Sequence, residues 1–213
     1  TLDRLRGDHK RLEACVKGME KSLAKGHVER IPPGEESPPP GKAWWLPVFP
    51  VTQPRKGKHR LVLDAAAEFR GSSLNSRLMQ GPDHNNRLRG VLLRFRLRSV
   101  GFVADVESMF HAFETERAHR DYLRFFWYRD NDPTHELAEY RATTHILGCR
   151  SSPAVAIFAL RYAASAGDLS HAADDFVKRN FYVDDGLGCA DDAVQAVRVL
   201  EEARKALNRF NVR

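Results

Sequence analysis

The chain has few cysteines and no long hydrophobic run. Its three cysteines, Cys15, Cys149 and Cys189, are too few and too widely spaced for a disulfide framework or a zinc site, which indicates a reducing compartment. No segment reaches the ~18 consecutive apolar residues that a membrane span needs, and no signal peptide is recognisable. We therefore expect an intracellular protein, cytoplasmic or nuclear. Because the chain opens at Thr1 rather than Met, we also expect a piece of a longer protein.

Composition and charge allow a folded protein with a polyanionic partner. The 213 residues are 42% hydrophobic, enough for one large domain or two small ones that share a core. The net charge is +6, but residues 1–100 hold 20 Lys and Arg against 10 Asp and Glu, whereas residues 101–213 hold 14 against 18. The first part could grip phosphates while the second concentrates carboxylates for a metal site. Two ordinary solvated surfaces would give the same counts.

Two amphipathic helices are predicted in the first hundred residues. Helical spacing predicts one over residues 3–26, ended by Gly26. Its apolar positions are Leu5, Leu12, Val16, Met19 and Leu23. The second is predicted over 85–98, and five arginines lie among its apolar residues. The apolar residues are Leu88, Val91, Leu92 and Phe95.

A loop and a β-hairpin are predicted between these helices. Residues 31–41 are rich in Pro and Gly and are interpreted as a surface connection. Residues 43–51 and 60–64 read as strands that pair in a hairpin, with prolines in the first strand indicating a sheet edge. The turn between them is basic, which predicts a positively charged tip around Lys56 and Lys58.

The second half alternates between apolar runs and helical patterns. Short strands are predicted over 100–106, 122–128 and 139–144, and the segment ESMFHAFE at 107–114 reads as helical. A two-strand hairpin is predicted around Asp184-Asp185-Gly186, because Asp-Gly between apolar runs is a common hairpin turn.

Three further helices are predicted around that hairpin. One begins with Ser152 as N-cap and Pro153 in the first turn and runs to about Ser165. Another covers about 170–179. The last is capped by Asp191 or Asp192 and runs to about Phe210. Its packing positions are predicted to be Val194, Val197, Leu200 and Leu207.

Three carboxylates stand out against this background. Asp184 and Asp185 are adjacent at the predicted hairpin tip, where like charges repel unless a cation holds them. Asp105 ends the apolar strand GFVAD and could lie on a neighbouring strand of the same sheet. Hard divalent ions such as Mg²⁺ take oxygen ligands of this kind. An ordinary Asp-Gly turn with its second Asp in solvent is the alternative for the pair alone.

Four motifs occur in order along the chain. They are Arg60-x-x-x-Asp64, Phe102-Val-Ala-Asp105-x-x-x-x-Phe110, Leu147-Gly148-x-x-Ser151-Ser152-Pro153 and Tyr182-Val183-Asp184-Asp185. This order resembles retroviral and retrotransposon reverse transcriptases, and within them it looks most like the BEL/Pao group of LTR retrotransposons. The blocks LVLDAAAEFRGSSLNSRLMQGPD and HILGCRSSP carry that closer resemblance. It covers about residues 19–213.

The resemblance implies an α+β fold and a catalytic centre. The fold would be the fingers and palm of a right-hand polymerase, with fingers over about 1–100, a mostly antiparallel palm sheet backed by helices over 101–213, and no thumb. Asp105 and Asp184 would bridge two Mg²⁺ ions, or two Mn²⁺ ions in their place, and Asp185 would assist one of them. The backbone carbonyl of Val106 would also ligate metal.

The resemblance also assigns residues to the incoming deoxynucleotide. Arg60 would clamp its triphosphate, and Lys58 or Lys56 would assist, although a solvated hairpin tip explains these lysines equally well. The amides of Ser108 and Met109 would cradle the triphosphate. The ring of Phe110 would exclude a ribose 2′-hydroxyl, whereas a lone Phe would otherwise be read as a core residue. Gly148 would let the chain approach the nucleotide closely.

The remaining assignments concern primer and template. Tyr182 would pack by the primer terminus, and Val183, Ser152 and Pro153 are placed with it on the primer and template side. The arginines within 87–98 could line the template groove or be surface charge. Leu147 stands where many relatives have Gln, and its side chain has no group for the hydrogen bond that the Gln would make on the nucleotide side.

The implied function is RNA-directed DNA synthesis on a primed template within a retrotransposon polyprotein, in the cytoplasm, in virus-like particles or in the nucleus. The chain ends at Arg213, before the thumb and RNase H that relatives carry. A fragment that binds nucleic acid without synthesis is the first alternative. An unrelated structural protein with a coincidental Asp-Asp hairpin, which would bind no divalent metal, is the second.

Overall fold

The computed structural model describes residue 5 and residues 7–53 and 58–212. Helices and antiparallel strands are mixed, as the α+β expectation requires. None of the helices in these described stretches is long and apolar enough to cross a membrane.

The chain packs into two compact units that interleave along the sequence. The first takes Thr1–Met79 and Glu114–Arg150, and the second takes Gln80–Phe113 and Ser151–Arg213. The boundary predicted near residue 100 separates two functional regions, fingers and palm, whereas the two units are defined by packing alone. That boundary stays a prediction.

The first unit begins with helix α1, His9–Ala24. Asp8 accepts a hydrogen bond from the Arg11 amide and so caps the helix start. Lys25 is the C-cap, and Gly26 follows with φ +69°, the left-handed conformation that favours glycine after a helix. The predicted helix is confirmed from His9 onward, as is its stop signal, whereas residues 3, 4 and 6 of the prediction lie outside the described residues.

A three-stranded antiparallel sheet packs against α1. It consists of β1 (Val28–Arg30), β6 (Leu137–Ala142) and β5 (Arg124–Tyr128), in that spatial order. Trp127 and Phe125 of β5 are buried in one cluster with Met19 of α1. The predicted strands 122–128 and 139–144 are thus confirmed within two residues at each end.

The predicted hairpin is present as β2 (Val48–Gln53) paired with β3 (Lys58–Leu63). The first strand starts five residues later than predicted. The backbone of Trp44 and Leu46 is hydrogen-bonded to the backbone of Asp121 and Arg124 instead. Residues 54–57 lie outside the described residues, so the basic tip with Lys56 does too. A short helix α2, Leu74–Arg77, follows in this unit, capped by Ser73.

Two buried arginines fasten the Pro-rich loop over 31–41. Arg124 is fully buried, and its guanidinium donates to the backbone carbonyls of Glu35 and Glu36. Arg141 is 2% exposed and pairs with Glu35, Glu29 and Asp121 at 2.6, 2.7 and 2.9 Å. The loop is therefore tied to the sheet and is more than a surface connection.

This network shifts the titration of its members. Hydrogen bonds from Arg117 and then Arg141 lower the pKa of Glu35. Burial alone would lower the pKa of Arg141, but the hydrogen bonds that its guanidinium donates to Glu29, Asp121 and Glu35 outweigh burial and raise that pKa. Because the pKa of Glu35 is lowered on folding, its contribution to stability is present near neutral pH and is lost in acid.

The second unit holds the other three-stranded antiparallel sheet. Its strands are β4 (Val100–Asp105), β8 (Asp185–Ala190) and β7 (Phe181–Tyr182), with β8 in the middle. The predicted segment 107–114 contains only a short 3₁₀ helix, Met109–Ala112. The predicted helix 85–98 is shorter and becomes α3, Leu88–Arg94.

Three helices complete this unit: α4 (Ser152–Ser165), α5 (His171–Arg179) and α6 (Ala193–Asn208). Helices α5 and α6 pack against the sheet, and α4 packs against these two helices. Ser151, not Ser152, is the N-cap of α4, and Ser152 is a buried first-turn residue. Asp192 caps α6 by accepting from the Gln195 amide.

The predicted packing face of α6 is wrong in part. Val194 and Val197 are 70% and 53% exposed, although both are apolar. The buried side is built mostly from small residues that let the helix approach its neighbours closely. Its buried residues are Ala196, Val199, Ala203, Ala206 and Leu207.

The arginine network gives a testable stability difference. Arg141→Met leaves three carboxylates without the cation that they share. Because these carboxylates are 25–35% exposed, we expect the free energy of unfolding to fall by about 3 kcal/mol, the lower end of the range for buried pairs. Arg117→Met is the matched control, because Arg117 also binds Glu35 but is 76% exposed, and its loss should stay below about 1 kcal/mol. Urea unfolding measures both. Equal losses in the two variants would contradict the burial argument.

Candidate active site

The carboxylates of the second unit meet at one end of its sheet. Asp105, the last residue of β4, is the direct cross-strand partner of Asp185, the first residue of β8. Tyr182 of β7 is the partner of Asp185 on the other side. Directly opposed residues point to the same face and have Cβ atoms about 4.5–5.5 Å apart. The pairing thus sets two carboxylates and one phenol side by side.

The turn of the hairpin differs from the predicted one. Tyr182 pairs with Asp185, so the two turn residues are Val183 and Asp184, while Asp185 and Gly186 belong to β8. The predicted Asp-Gly turn is therefore wrong by two residues. Asp184 lies at the tip, and its backbone carbonyl accepts from the Val106 amide at 3.0 Å. This bond ties the tip to the chain just after Asp105.

Val183 adopts a conformation that its side chain disfavours. Its φ is +59°, in the left-handed region, where a β-branched residue is a clear outlier. Such a conformation costs on the order of 1–3 kcal/mol and persists only where the surroundings hold it. Ser108 also has a positive φ, +53°. Two strained residues therefore flank the carboxylates.

Aromatic rings pack against the inner face of this sheet. On the inner face of β8, a Cβ on Gly186 would come within 2.7 Å of the Phe181 ring, and one on Gly188 within 2.3 Å of the Phe102 ring. Phe176 of α5 lies between these rings, with centroids 5.1 Å from Phe102 and 5.2 Å from Phe181. The glycines are needed because the rings occupy the space that side chains would fill.

The donor set fits a hard divalent cation. Asp105 and Asp185 are exposed carboxylates in direct register, and Asp184 adjoins them. Within the described residues, however, no three His, Cys, Asp or Glu side chains already form a group that could hold a metal ion. A metal site here would need side-chain rotations that bring the third carboxylate to the pair. The ligand assignments, including the Val106 carbonyl, stay predictions.

The residues assigned to the nucleotide after β4 have distinct environments. Met109 is buried in the main core, so only its backbone could face a ligand. Ser108 precedes the 3₁₀ helix, where its carbonyl accepts from the His111 amide. Phe110 is partly buried and packs against the core. Its ring thus contributes to packing whatever its role toward a sugar.

Three other assigned residues lie in the first unit. Arg60 is an exposed residue of β3, paired with Val51, and Lys58 begins the same strand opposite Gln53. Gly148 has φ +98°, which requires glycine. Its carbonyl accepts from Asn75 Nδ2 at 2.9 Å, a contact that no pattern in the sequence revealed. Leu147, the position that departs from many relatives, is 51% exposed.

The arginines within 87–98 do not act alike. Arg94 donates from Nε to Asn180 at 2.8 Å and from Nη2 to the Arg179 carbonyl. Arg98 forms two 2.6 Å hydrogen bonds with Asp191. From the sequence alone, all five arginines could either line a template groove or be surface charge. Two of them are now seen to fasten local structure, and the other three, Arg87, Arg89 and Arg96, are exposed.

Comparison with known proteins gives the fold. No family model matches the chain, and no curated protein matches it. Solved structures do match. A foamy viral protease–reverse transcriptase in complex with double-stranded DNA is 18% identical, with a TM-score of 0.66 over 93% of this chain and 30% of that one. The native prototype foamy virus protease–reverse transcriptase is also 18% identical, with a TM-score of 0.68 over 95% and 23%.

These structures are much longer than the chain described above. A second foamy viral complex with double-stranded DNA is 17% identical, with a TM-score of 0.63 over 93% of this chain and 36% of that one. The chain thus spans about a quarter to a third of the proteins that it matches. At such low identity the likeness concerns fold alone, and on that basis the chain has a reverse-transcriptase-like fold.

Proposed function

We propose that this chain is the fingers and palm part of an RNA-directed DNA polymerase from a retrotransposon of the BEL/Pao group. The observation that carries the proposal is the register of β4 and β8, which puts Asp105 opposite Asp185 with Asp184 at the adjoining turn. The likeness to foamy viral reverse transcriptases supports a polymerase-like domain. Its cellular setting would be the cytoplasm, virus-like particles or the nucleus.

The reaction would join a deoxynucleotide to a primer. The primer 3′-hydroxyl attacks the α-phosphate of the triphosphate, a phosphodiester bond forms, and pyrophosphate leaves. Two Mg²⁺ ions, when bound, would activate that hydroxyl and stabilise the leaving group. Asp105, Asp184 and Asp185, with the Val106 carbonyl, are the oxygen donors that would hold them.

The other residues would bind and orient the substrates. The Arg60 guanidinium suits a triphosphate because it offers several donors in a planar fork, with Lys58 assisting. The amides of Ser108 and Met109 would bind phosphate oxygens, and Gly148 would leave room for the nucleotide. Tyr182, on the same row as Asp185, would pack by the primer terminus with Val183. Ser152 is buried, so Pro153 is the more accessible of that pair toward a template.

Asp184→Asn removes one carboxylate charge while keeping nearly the same side-chain shape. Asp184→Asn should lower primer extension by about 10³-fold or more, because a neutral amide cannot replace a charged metal ligand. Primer extension with Mg²⁺ or Mn²⁺ on a gel measures the rate, and binding of labelled primer–template should be unchanged.

Asp168→Asn is the matched control for this experiment. Asp168 is an exposed carboxylate of the same unit with φ +51°, a conformation that Asn also tolerates, and its variant should extend primers normally. Extension by the Asp184 variant at a rate near that of the wild type would refute the site. A wild-type chain that binds primer–template but never extends it would favour the binding-only alternative.

A further prediction concerns which sugar the site accepts. Phe110→Val should raise ribonucleotide incorporation relative to deoxynucleotide incorporation, because a smaller side chain leaves room for a 2′-hydroxyl. Phe113→Val is the control, since Phe113 packs against the same core. Single-nucleotide incorporation with matched dNTP and rNTP measures the ratio. If both variants keep the wild-type ratio, Phe110 is a core residue and not a gate.

A further inference from the structure

The carboxylate hairpin, formed by β7 and β8 with Asp184 at its tip, is weakly held on its β7 side. β7 is the edge strand and contributes only Phe181 and Tyr182 to the ladder, with all of its pairing directed to β8. An edge strand leaves backbone groups on its outer side without ladder partners. The tip is also strained at Val183. Something outside the sheet must therefore help to hold this hairpin.

Asn86 supplies hydrogen bonds at this edge. Its side-chain Nδ2 donates to the carbonyl of Phe181 at 2.8 Å and to the carbonyl of Lys178 at 3.1 Å. The Phe181 carbonyl lies on the outer edge of β7, and the Lys178 carbonyl belongs to the last turn of α5, where helical carbonyls lack intrahelical partners. Arg161 of α4 donates to the Asn86 oxygen at 3.2 Å, which orients the amide.

Arg94 holds the intervening residues. Its guanidinium donates to the Asn180 side chain and to the Arg179 carbonyl. Its own backbone carbonyl accepts from Cys189 Sγ at 3.0 Å, on the strand that returns from the hairpin. Asn180 in turn accepts from the Leu187 amide at 2.9 Å. The segment from Asn86 to Arg94 thus contacts the chain on both sides of the carboxylates.

We propose that Asn86 and Arg94 are positioning residues that hold the carboxylate hairpin in register by binding the chain between α5 and β7. Neither residue touches the reacting atoms. They satisfy four consecutive positions, 178–181, that lead directly into Tyr182. The consequence for catalysis rests on the proposed function, whereas the consequence for hairpin rigidity does not.

Hydrogen exchange tests the rigidity claim without any activity. In Asn86→Ala, exchange of the Leu187 and Val106 amides should speed up by about tenfold, the factor expected for the loss of two partly buried hydrogen bonds. Amides within α6 should keep their wild-type rates. Asn85→Ala is the matched control, because the Asn85 side-chain oxygen is buried without a hydrogen-bond partner and has no bond to lose.

The outcomes separate positioning from general stability. If amide exchange in Asn86→Ala speeds up equally throughout the second unit, Asn86 merely stabilises the fold. If exchange at Leu187 and Val106 is unchanged, Asn86 does not hold the hairpin. Either result overturns the proposal. Arg94→Lys, which keeps the charge but loses the fork, should give the same local pattern more weakly.

Primer extension then tests the link to catalysis. Asn86→Ala should lower kcat by about tenfold with KM for the dNTP within about twofold, because metal-ligand positioning changes while nucleotide contacts do not. If kcat is unchanged although exchange shows a loosened hairpin, Asn86 has no effect on catalysis, while its effect on hairpin rigidity stands. A wild-type chain without extension activity would count against the proposed function, and the exchange result would still decide whether these residues hold the hairpin.

Discussion

The pairing of β4 with β8 is the constraint on which the rest of the candidate site depends. Six consecutive residue pairs run from Val100 opposite Ala190 to Asp105 opposite Asp185. Because side chains alternate between the two faces of a strand, a slip of one residue would turn Asp105 into the core and Ala104 outward. The register therefore decides whether the two carboxylates face each other at all.

Packing on the inner face fixes that register. Gly186 and Gly188 leave space for the rings of Phe181 and Phe102, and Phe176 fills the position between them. Any shift would set side chains of β8 against these rings. The strained tip at Val183 and the bond from the Val106 amide to the Asp184 carbonyl then hold the backbone of the third aspartate next to the end of β4. The packing of the core thus also determines the positions of the aspartates.

Sequence reasoning predicted features that depend on local periodicity. The strand ending at Asp105, the helix stop at Gly26 and the Asp192 cap follow from neighbouring residues alone. It failed where tertiary contacts decide: the hairpin turn moved to Val183-Asp184 because cross-strand pairing outweighs the preference for Asp-Gly, and Val194 lies outside because alanines allow closer packing. The roles of Asn86, Arg94, Arg124 and Asn75 depend on partners distant in sequence, which no spacing rule reveals.

Direct titration with Mn²⁺, followed by electron paramagnetic resonance, tests most directly whether the three carboxylates form one cation site. The account predicts that the wild-type chain binds Mn²⁺ and that Asp105→Asn and Asp185→Asn each weaken binding by roughly tenfold or more, since each removes a charged oxygen ligand. Asp168→Asn should bind as the wild type does. Mn²⁺ affinity that is the same in all four proteins would contradict a shared site and, with it, a polymerase centre at this end of the sheet.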